Sequence, residues 1–352
     1  MKKVIQCILC LLLLTGMNTT AGWAVELRKN IQKSFSATRE TVLEIDNSFG
    51  SVKIENWPVQ EVSIQVEMKA GAMTERRAAE ILSKMSVELG KSGNKVSGNT
   101  RLDNVNTRGG ESFSINYTIR VPDNLVMNIS NEFGDTYINA PCGASKFSSR
   151  FGALYMQNQT SPVEIVIQHG AAKLQSLASL TLDMQHSTLN AGSLDVARMD
   201  FQHSTATMGD GRDWNVKAQH STINAGSLHR LDLDDEFSPF QIEKITKRLY
   251  VSDLQHASVK VNAFSPDFEE VYVDAQHSNV TLTIPREAAF LIDASANFGG
   301  LRIDNHKVQV SYTYSNSDRE DDFTKTVKGY VLRDNATSKI YLRGQHSDLN
   351  IR

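Results

Sequence analysis

Cysteine is scarce in this chain, which has three of them. Cys7 and Cys10 fall in an N-terminal segment that we expect to be removed, so that Cys142 would remain alone. A single cysteine forms no internal disulfide, and the fold must then be held by burial and backbone pairing. An excess of one charge is also lacking, because 37 basic and 40 acidic residues leave a net charge of -3. Nucleic-acid binding needs a basic field, so we expect no nucleic-acid partner.

Long apolar runs are missing after the first residues. The run that follows Lys2 and Lys3 is shorter than the about 20 residues that a membrane-spanning helix needs. Gly22 and Ala24 are the small residues that suit signal peptidase. The sequence therefore predicts a bacterial secretory signal peptide over 1–24 and a mature chain without a transmembrane span. Such a chain would be exported to the periplasm, held at the outer surface or secreted.

What the sequence has instead is an internal repeat. The fragment 184–194, MQHSTLNAGSL, returns almost unchanged as 218–228, AQHSTINAGSL. Between Phe133 and Phe298 an aromatic position recurs at steps of 17 to 21 residues, too short for a propeller blade or a two-helix repeat. We name these the corner positions: Phe49, Phe133, Phe151, His169, His186, His203, His220, Phe237, His256, His277, Phe298 and His346.

Apolar residues alternate on both sides of each corner position. They recur four residues before it, as at Leu182, and three and five residues after it, as at Leu189 and Ala191. A period of two indicates a strand on each side, and the change from even to odd offsets indicates a bend. The next residue is always Gly, Ser or Ala, which we interpret as a tight corner with positive φ and no room for a larger side chain. The sequence thus predicts an all-β fold, a parallel β-solenoid (β-helix) of coils of about 17–21 residues.

Two segments interrupt the repeat. Residues 74–90 place apolar side chains on one helical face, with Thr74 as N-cap and Gly90 as stop, and predict an amphipathic helix that covers the open end of the solenoid. Residues 306–339 predict a β-hairpin inserted before a last coil at 340–351. The predicted organisation is a signal peptide at 1–24, N-terminal coil strands with the helix at 25–125, the regular β-solenoid at 126–305, and the hairpin insertion with the final coil at 306–352.

Seven of the nine histidines occupy corner positions: His169, His186, His203, His220, His256, His277 and His346. Stacked coils lie about 4.8 Å apart, so neighbouring imidazoles could bridge a metal ion. Phenylalanine takes the same position five times, which favours a structural ladder of partly buried, flat-stacked rings whose nitrogens bond to backbone or serine. We expect no cofactor, and a metal-binding ladder is the weaker alternative.

Two polar columns precede the corner. Glutamine stands directly before it, as at Gln185, Gln202 and Gln219, where stacked amides can bond along the axis. Three residues before it, facing outward, stand mostly aspartates. This candidate binding column contains Asp183, Asp200, Lys217, Asp234, Asp253 and Asp274. Stacked carboxylates repel unless they are neutralised, so adjacent pairs could hold Ca²⁺, although a solvated face is the simpler interpretation.

Catalysis needs unlike groups that converge. Asp200, Lys217 and Asp234 could form such a cluster, as in exported β-helices that cleave acidic polysaccharides. Nucleophile elbows, metalloprotease helices and phosphate loops are absent from the sequence. We therefore expect a non-enzymatic protein, with a carbohydrate-active β-helix enzyme (lyase-like or hydrolase-like) as the alternative.

The segment NSFGSVKIENW at 47–57, followed by EVSIQVEM at 61–68, resembles the opening of a bacterial family described as auto-transporter adhesin head domains of the GIN type, and related β-solenoid families of unknown function. The resemblance covers most of the mature chain. It implies a β-solenoid and an envelope or surface location, and it transfers no site residues. We expect an adhesin-like binding surface or structural scaffold whose partner, which the sequence does not identify, is a glycan or another envelope component.

Overall fold

The computed structural model of the chain describes residues 25–304, 308–315 and 324–352. The described residues are all-β apart from one helix, as the sequence predicts. The predicted signal peptide lies outside them, as do residues 316–323 of the predicted hairpin insertion. The chain forms two compact units that divide after Gln157, whereas the boundaries predicted at 125 and 305 follow the repeat pattern and stay a prediction. None of the described helical segments has the length and hydropathy needed to cross a membrane.

Unit 1 has one helix, α1 (Glu75–Ser83), and eleven strands in its described part. The strands are β1 (Val25–Ser36), β2 (Val42–Ser48), β3 (Val52–Asn56), β4 (Glu61–Ala72), β5 (Met85–Ser92), β6 (Lys95–Leu102), β7 (Ser112–Val121), β8 (Val126–Glu132), β9 (Thr136–Asn139), β10 (Ser145–Arg150) and β11 (Ala153–Met156).

The strands of unit 1 form both parallel and antiparallel pairs. Strands β2 and β3, which flank Phe49, pair in parallel with β8 and β9, which flank Phe133, and those pair in turn with β10 and β11. On their other side β2 and β3 pair in parallel with β6 and β7. The antiparallel pairs β1–β4, β4–β7 and β5–β6 extend the sheet from there. The sheet is therefore mixed.

Helix α1 begins where the sequence predicts. Thr74 is its N-cap, and the Thr74 hydroxyl accepts a hydrogen bond from the backbone N–H of Arg77 at 3.3 Å. The side chains of Ala78 and Ile81 are buried where the helix packs against β1 and β4.

The predicted extent of this helix, 74–90, is wrong beyond Ser83. Met85–Ser92 form strand β5, which pairs antiparallel with β6. Buried Met85 and Leu89 are four residues apart, a spacing that fits a helical face and the inner face of a strand equally well. Hydrogen bonding to β6, which no local pattern reveals, decides between the two.

Unit 2 has eighteen strands in its described part. They are β12 (Val163–Gln168), β13 (Ala171–Leu174), β14 (Leu177–Gln185), β15 (Thr188–Ala191), β16 (Leu194–Gln202), β17 (Thr205–Met208), β18 (Gly211–Gln219), β19 (Thr222–Glu236), β20 (Pro239–Gln255), β21 (Ser258–Val261), β22 (Glu270–Gln276), β23 (Asn279–Leu282), β24 (Phe290–Asn297), β25 (Leu301–Ile303), β26 (Val308–Ser315), β27 (Thr324–Val331), β28 (Ser338–Gln345) and β29 (Asp348–Ile351).

Successive repeats of unit 2 pair in parallel and in register. Strand β14 pairs with β16 and β16 with β18, while β15 pairs with β17, so that equivalent positions of neighbouring repeats are partners. The predicted inward columns are buried: Leu182, Met199 and Val216 are each at most 2% exposed. Each such side chain contributes roughly 1.5–3 kcal/mol by leaving water, which is what holds the repeats together.

The step from Phe237 to His256 is 19 residues because of two irregularities between β19 and β20. One register shift follows Leu228 and the other follows Leu233. Ser252, which appeared to interrupt the inward column, is the exposed extra residue at the second shift, and Val251 takes the buried position.

The last repeat along the chain is not the last in space. Strand β28 pairs in parallel with both β22 and β24, and β29 with both β23 and β25. The predicted hairpin is present as the antiparallel pair β26–β27, and β27 also pairs antiparallel with β24. Residues 338–351 therefore lie between two repeats that precede them in sequence.

All twelve corner residues adopt a left-handed backbone conformation, with φ between 49° and 61°. The assignment of positive φ to the following small residue was therefore wrong, and the bend falls one residue earlier. The steric reason for a small neighbour holds, since a Cβ on Gly134 would lie 2.0 Å from the carbonyl oxygen of Gly50. Left-handed conformation costs a non-glycine residue roughly 1–2 kcal/mol, which the stacked surroundings must offset.

Candidate binding face

The corner side chains of unit 2 form one stacked column of rings. Neighbouring ring centroids lie 4.8–5.1 Å apart, and the ring planes agree within 12°. The order is His169, His186, His203, His220, Phe237, His256, His277, His346 and Phe298. All nine residues are exposed, so the expectation of partly buried rings is wrong. Ring faces cover one another while ring edges meet solvent. In unit 1, Phe49, Phe133 and Phe151 stack in the same way, at 4.7 and 4.9 Å.

The serine hydroxyls that follow the corners bond to the backbone. The Ser204 hydroxyl accepts from the backbone N–H of Ser187 at 3.2 Å and donates to the carbonyl of Gln202 at 2.8 Å. The same pair of bonds recurs at Ser221, where the partners are Ser204 and Gln219. These hydroxyls hold neighbouring repeats at their bends. The role of the histidines as a purely structural ladder stays a prediction.

The glutamine column is in register, with Gln185, Gln202 and Gln219 as successive partners. The side-chain amide of Gln219 donates to the Glu236 carboxylate at 3.1 Å. Among the described residues, the side-chain amides of Gln185, Gln202 and Gln219 form no hydrogen bonds with one another, so the expected ladder of amide bonds is wrong for these three.

The structure brings the predicted residues of the candidate binding column together on neighbouring strands. Asp183, Asp200, Lys217 and Asp234 are successive register partners on β14, β16, β18 and β19. Burial, and after it the neighbouring Asp200 carboxylate, raise the pKa of Asp183 above its ordinary value.

The column continues with Asp253, the register partner of Asp234, and with Asp274. Both oxygens of Asp253 accept from the amide of Gln255, and Asp274 is the register partner of Arg343. Within the described part of the chain, His, Cys, Asp and Glu side chains form no cluster of three or more with the geometry of a metal site.

Three outward residues next to this column were missed by the sequence analysis. Thr181, Arg198 and Asn215 stand two residues before Asp183, Asp200 and Lys217 on the same three strands, and they are register partners of one another. The parity that placed the aspartates outward would have found them too. We name as the outer strip the six residues Thr181, Asp183, Arg198, Asp200, Asn215 and Lys217.

The outer strip lines a shallow depression of about 330 Å³. Five of its six residues are exposed, and Asp200 is half-buried. Among the described residues, none of the six side chains forms a hydrogen bond or an ion pair, although Lys217 lies between two aspartates. Gln202, Lys217 and Asp234 border a second depression of about 230 Å³ that adjoins the first.

Some charges elsewhere in unit 2 are paired. Arg212 contacts Asp195 at 3.0 Å, and Arg248 contacts Asp232 at 2.8 Å. The cations and carboxylates of the outer strip differ from these pairs in being available to a ligand.

Inside the unit, Asp235 was also missed. It is fully buried, and neither carboxylate oxygen has a hydrogen-bond partner among the described residues. Burial raises the pKa of Asp235 to about 7, against the lowering effect of the nearby Ser238 hydroxyl. The sequence signal for it was an aspartate two residues before the corner Phe237, at an inward position.

No family model matches the chain, and no curated protein matches it. Among solved structures, the chain is similar to three bacterial proteins that are described as candidate adhesion proteins. The one from Clostridium sporogenes is 10% identical, covers 92% of this chain and 98% of its own, and has a TM-score of 0.21. Those from Parabacteroides distasonis and Bacteroides fragilis are 8% and 9% identical and have TM-scores of 0.34 and 0.26. They cover 73% and 92% of this chain, and 90% and 97% of their own. At such scores neither fold nor function is inferred from these likenesses.

Proposed function

We propose that the mature chain is a parallel β-solenoid exported to the bacterial envelope or cell surface, where it acts without catalysis as an adhesin-like binding surface or scaffold. One observation carries the proposal. Neighbouring repeats pair in parallel and in register, so that the same outward side-chain position recurs strand after strand. A surface of this kind suits a partner that is itself extended and repetitive, because each repeat can offer it similar contacts.

The competing function is that of a carbohydrate-active enzyme. Asp200, Lys217 and Asp234 are adjacent, and a cation between two carboxylates is an arrangement from which acid–base chemistry could be built. Against it, the three belong to a column that elsewhere holds ordinary repeat residues. Binding without turnover is therefore the preferred function.

A panel of glycans and polysaccharides, presented to the protein from Val25 onward and scored together for binding and for product release, separates the two. The proposal predicts binding without release. Released oligosaccharide that disappears in Lys217→Ala would establish the enzyme instead. Fractionation of producing cells, with N-terminal sequencing of the mature protein, tests the export: cleavage after Ala24 and an envelope or external location are expected, and an uncleaved cytoplasmic protein would contradict them.

A further inference from the structure

We infer that the outer strip binds one extended chain of a neutral, β-1,4-linked polysaccharide that runs across strands β14, β16 and β18, with one sugar over each strand. This inference rests on the proposed function and names the ligand class of the same surface. The inferred site includes Thr181, Arg198 and Asn215, which do not belong to the candidate binding column.

The chemistry of the strip suits sugar hydroxyl groups. A hydroxyl both donates and accepts, and the strip offers carboxylate acceptors at Asp183 and Asp200, cationic donors at Arg198 and Lys217, and neutral groups beside them. All of these side chains lack a protein partner within the described residues. Hydrogen bonds that involve a charged group are the stronger ones, so bonds to ligand hydroxyl groups can offset the hydration that these side chains lose on binding.

The charges of the strip favour a neutral polymer over a charged one. Two carboxylates and two cations belong to the strip itself, while Glu164 also lines the depression and half-buried Asp234 lies beside Lys217. A polyanion would meet repulsion from these carboxylates, and the cations of a polycation would meet Arg198 and Lys217. Burial raises the pKa of Asp183 most, and the neighbouring Asp200 carboxylate adds to the rise. Hydrogen bonds from ligand hydroxyls would stabilise both carboxylates.

The geometry suits an extended chain that crosses the strands. Neighbouring strands lie about 4.8 Å apart, and a β-1,4-linked sugar advances by nearly the same distance along its chain. One sugar can therefore lie over the pair of side chains on each strand: Thr181 with Asp183, Arg198 with Asp200, and Asn215 with Lys217. Successive sugars of an extended β-1,4 chain present opposite faces, and all of these faces carry hydroxyl groups that the different pairs can bind. The shallow depression that all six residues line is open to such a chain.

A length series of soluble oligosaccharides tests the inference. Calorimetric titration would compare β-1,4-linked oligomers of glucose and of N-acetylglucosamine from two to seven sugars, with polygalacturonate as the anionic comparison. Affinity is expected to rise with length and to level off at about three to five sugars, when the chain spans the strip. An affinity that keeps rising over the whole series, or is independent of length, would contradict one sugar per strand.

Variants locate the site. Asp200→Asn and Lys217→Met are each expected to weaken binding by about tenfold or more, because each removes a charge-assisted hydrogen bond. Asn190→Ala and Thr207→Ala are the matched controls, since both residues are exposed and lie on β15 and β17 of the same repeats. These controls should bind within about twofold of the parent chain. Circular dichroism and melting temperature would confirm that every variant is folded.

The outcomes separate this inference from the proposed function. Binding of neutral oligomers that Asp200→Asn and Lys217→Met leave unchanged would overturn the strip as the site and leave a binding protein. Preference for polygalacturonate, or no binding of any neutral oligomer, would overturn the ligand class. Release of shorter products would overturn the non-enzymatic function, while the site assignment would stand if the same two variants abolished the release.

Discussion

At the scale of single residues, the bends show two ways of satisfying buried backbone groups. In unit 1 the asparagine two residues before the corner does so: the Asn131 amide donates to the carbonyls of Gly50 and Gly134 at 3.1 and 2.9 Å. In unit 2 the serine after the corner bonds to the backbone instead: the Ser221 hydroxyl accepts from the N–H of Ser204 and donates to the carbonyl of Gln219. Where the serine makes these bonds, the earlier position is free to hold an apolar residue, as at Met184, Phe201 and Ala218.

Asp235 lies at a bend that has a polar residue at both positions, two residues before the corner and directly after it. It occupies the position of Asn131, yet Ser238 already donates to the Glu236 carbonyl at 3.0 Å and accepts from the N–H of Ser221 at 3.0 Å. Asp235 is therefore not needed to bond the backbone at this bend. As a carboxylate it has no proton to donate to a carbonyl oxygen. A buried carboxylate without donors is costly, and this cost is the reason that its pKa is raised.

We predict that Asp235→Asn stabilises the protein at neutral pH. The pKa of Asp235 is raised from 3.8 to about 7, so the folded state retains this proton where the unfolded state has lost it. The contribution of Asp235 to stability is therefore fully present below pH 4 and is lost as pH rises towards 7, by at most about 4 kcal/mol. An asparagine amide, which does not titrate, avoids this loss.

Urea unfolding of both proteins between pH 4 and pH 8 checks this prediction. The stability difference should be small at pH 4, grow in favour of Asp235→Asn up to about pH 7, and then stay constant. A difference that does not vary with pH would mean that Asp235 does not titrate as described.

At the scale of strands and helices, the sequence predicted which residues face inward and where the chain bends. The two-residue period placed Leu182, Met199 and Val216 in the core, and parity located the bend within one residue. It did not predict a left-handed phenylalanine or histidine, because local sterics favour glycine there. Stacking against the rings of neighbouring repeats supplies the compensation, and such contacts between distant residues leave no local signal.

The candidate site was predicted in part for the same reason. Outward parity found Asp183, Asp200 and Lys217, and their register followed from the constant step of 17 residues. The sequence could not show that their charges lie unpaired, because Arg212, on the same strand as Lys217, does form an ion pair. Whether two charged side chains form an ion pair depends on their conformations on neighbouring strands, and the repeat pattern does not predict these conformations.

At the scale of each whole unit, chain order and spatial order differ at the terminal repeats. In unit 1, Phe49 stacks on Phe133, although 83 residues separate them in sequence. In unit 2, His346 stacks between His277 and Phe298. The repeat pattern identifies the members of a stack, but it says nothing about which member lies beside which, since equivalent repeats carry nearly the same apolar residues. For this reason the sequence placed 340–351 last, and the structure places those residues inside.

The interior position of this last repeat predicts how its core responds to mutation. Leu349 on β29 is 0% exposed because β23 and β25 lie on either side of it, whereas its counterpart Leu301 on β25 is half-buried. Truncating a fully enclosed leucine costs about 2–5 kcal/mol, and a leucine already open to water costs less. Leu349→Ala should therefore lower the denaturation midpoint clearly more than Leu301→Ala does. If chain order were spatial order, Leu349 would lie at the open end and the ranking in urea unfolding would be reversed, which is the result that would contradict the placement of β28 and β29.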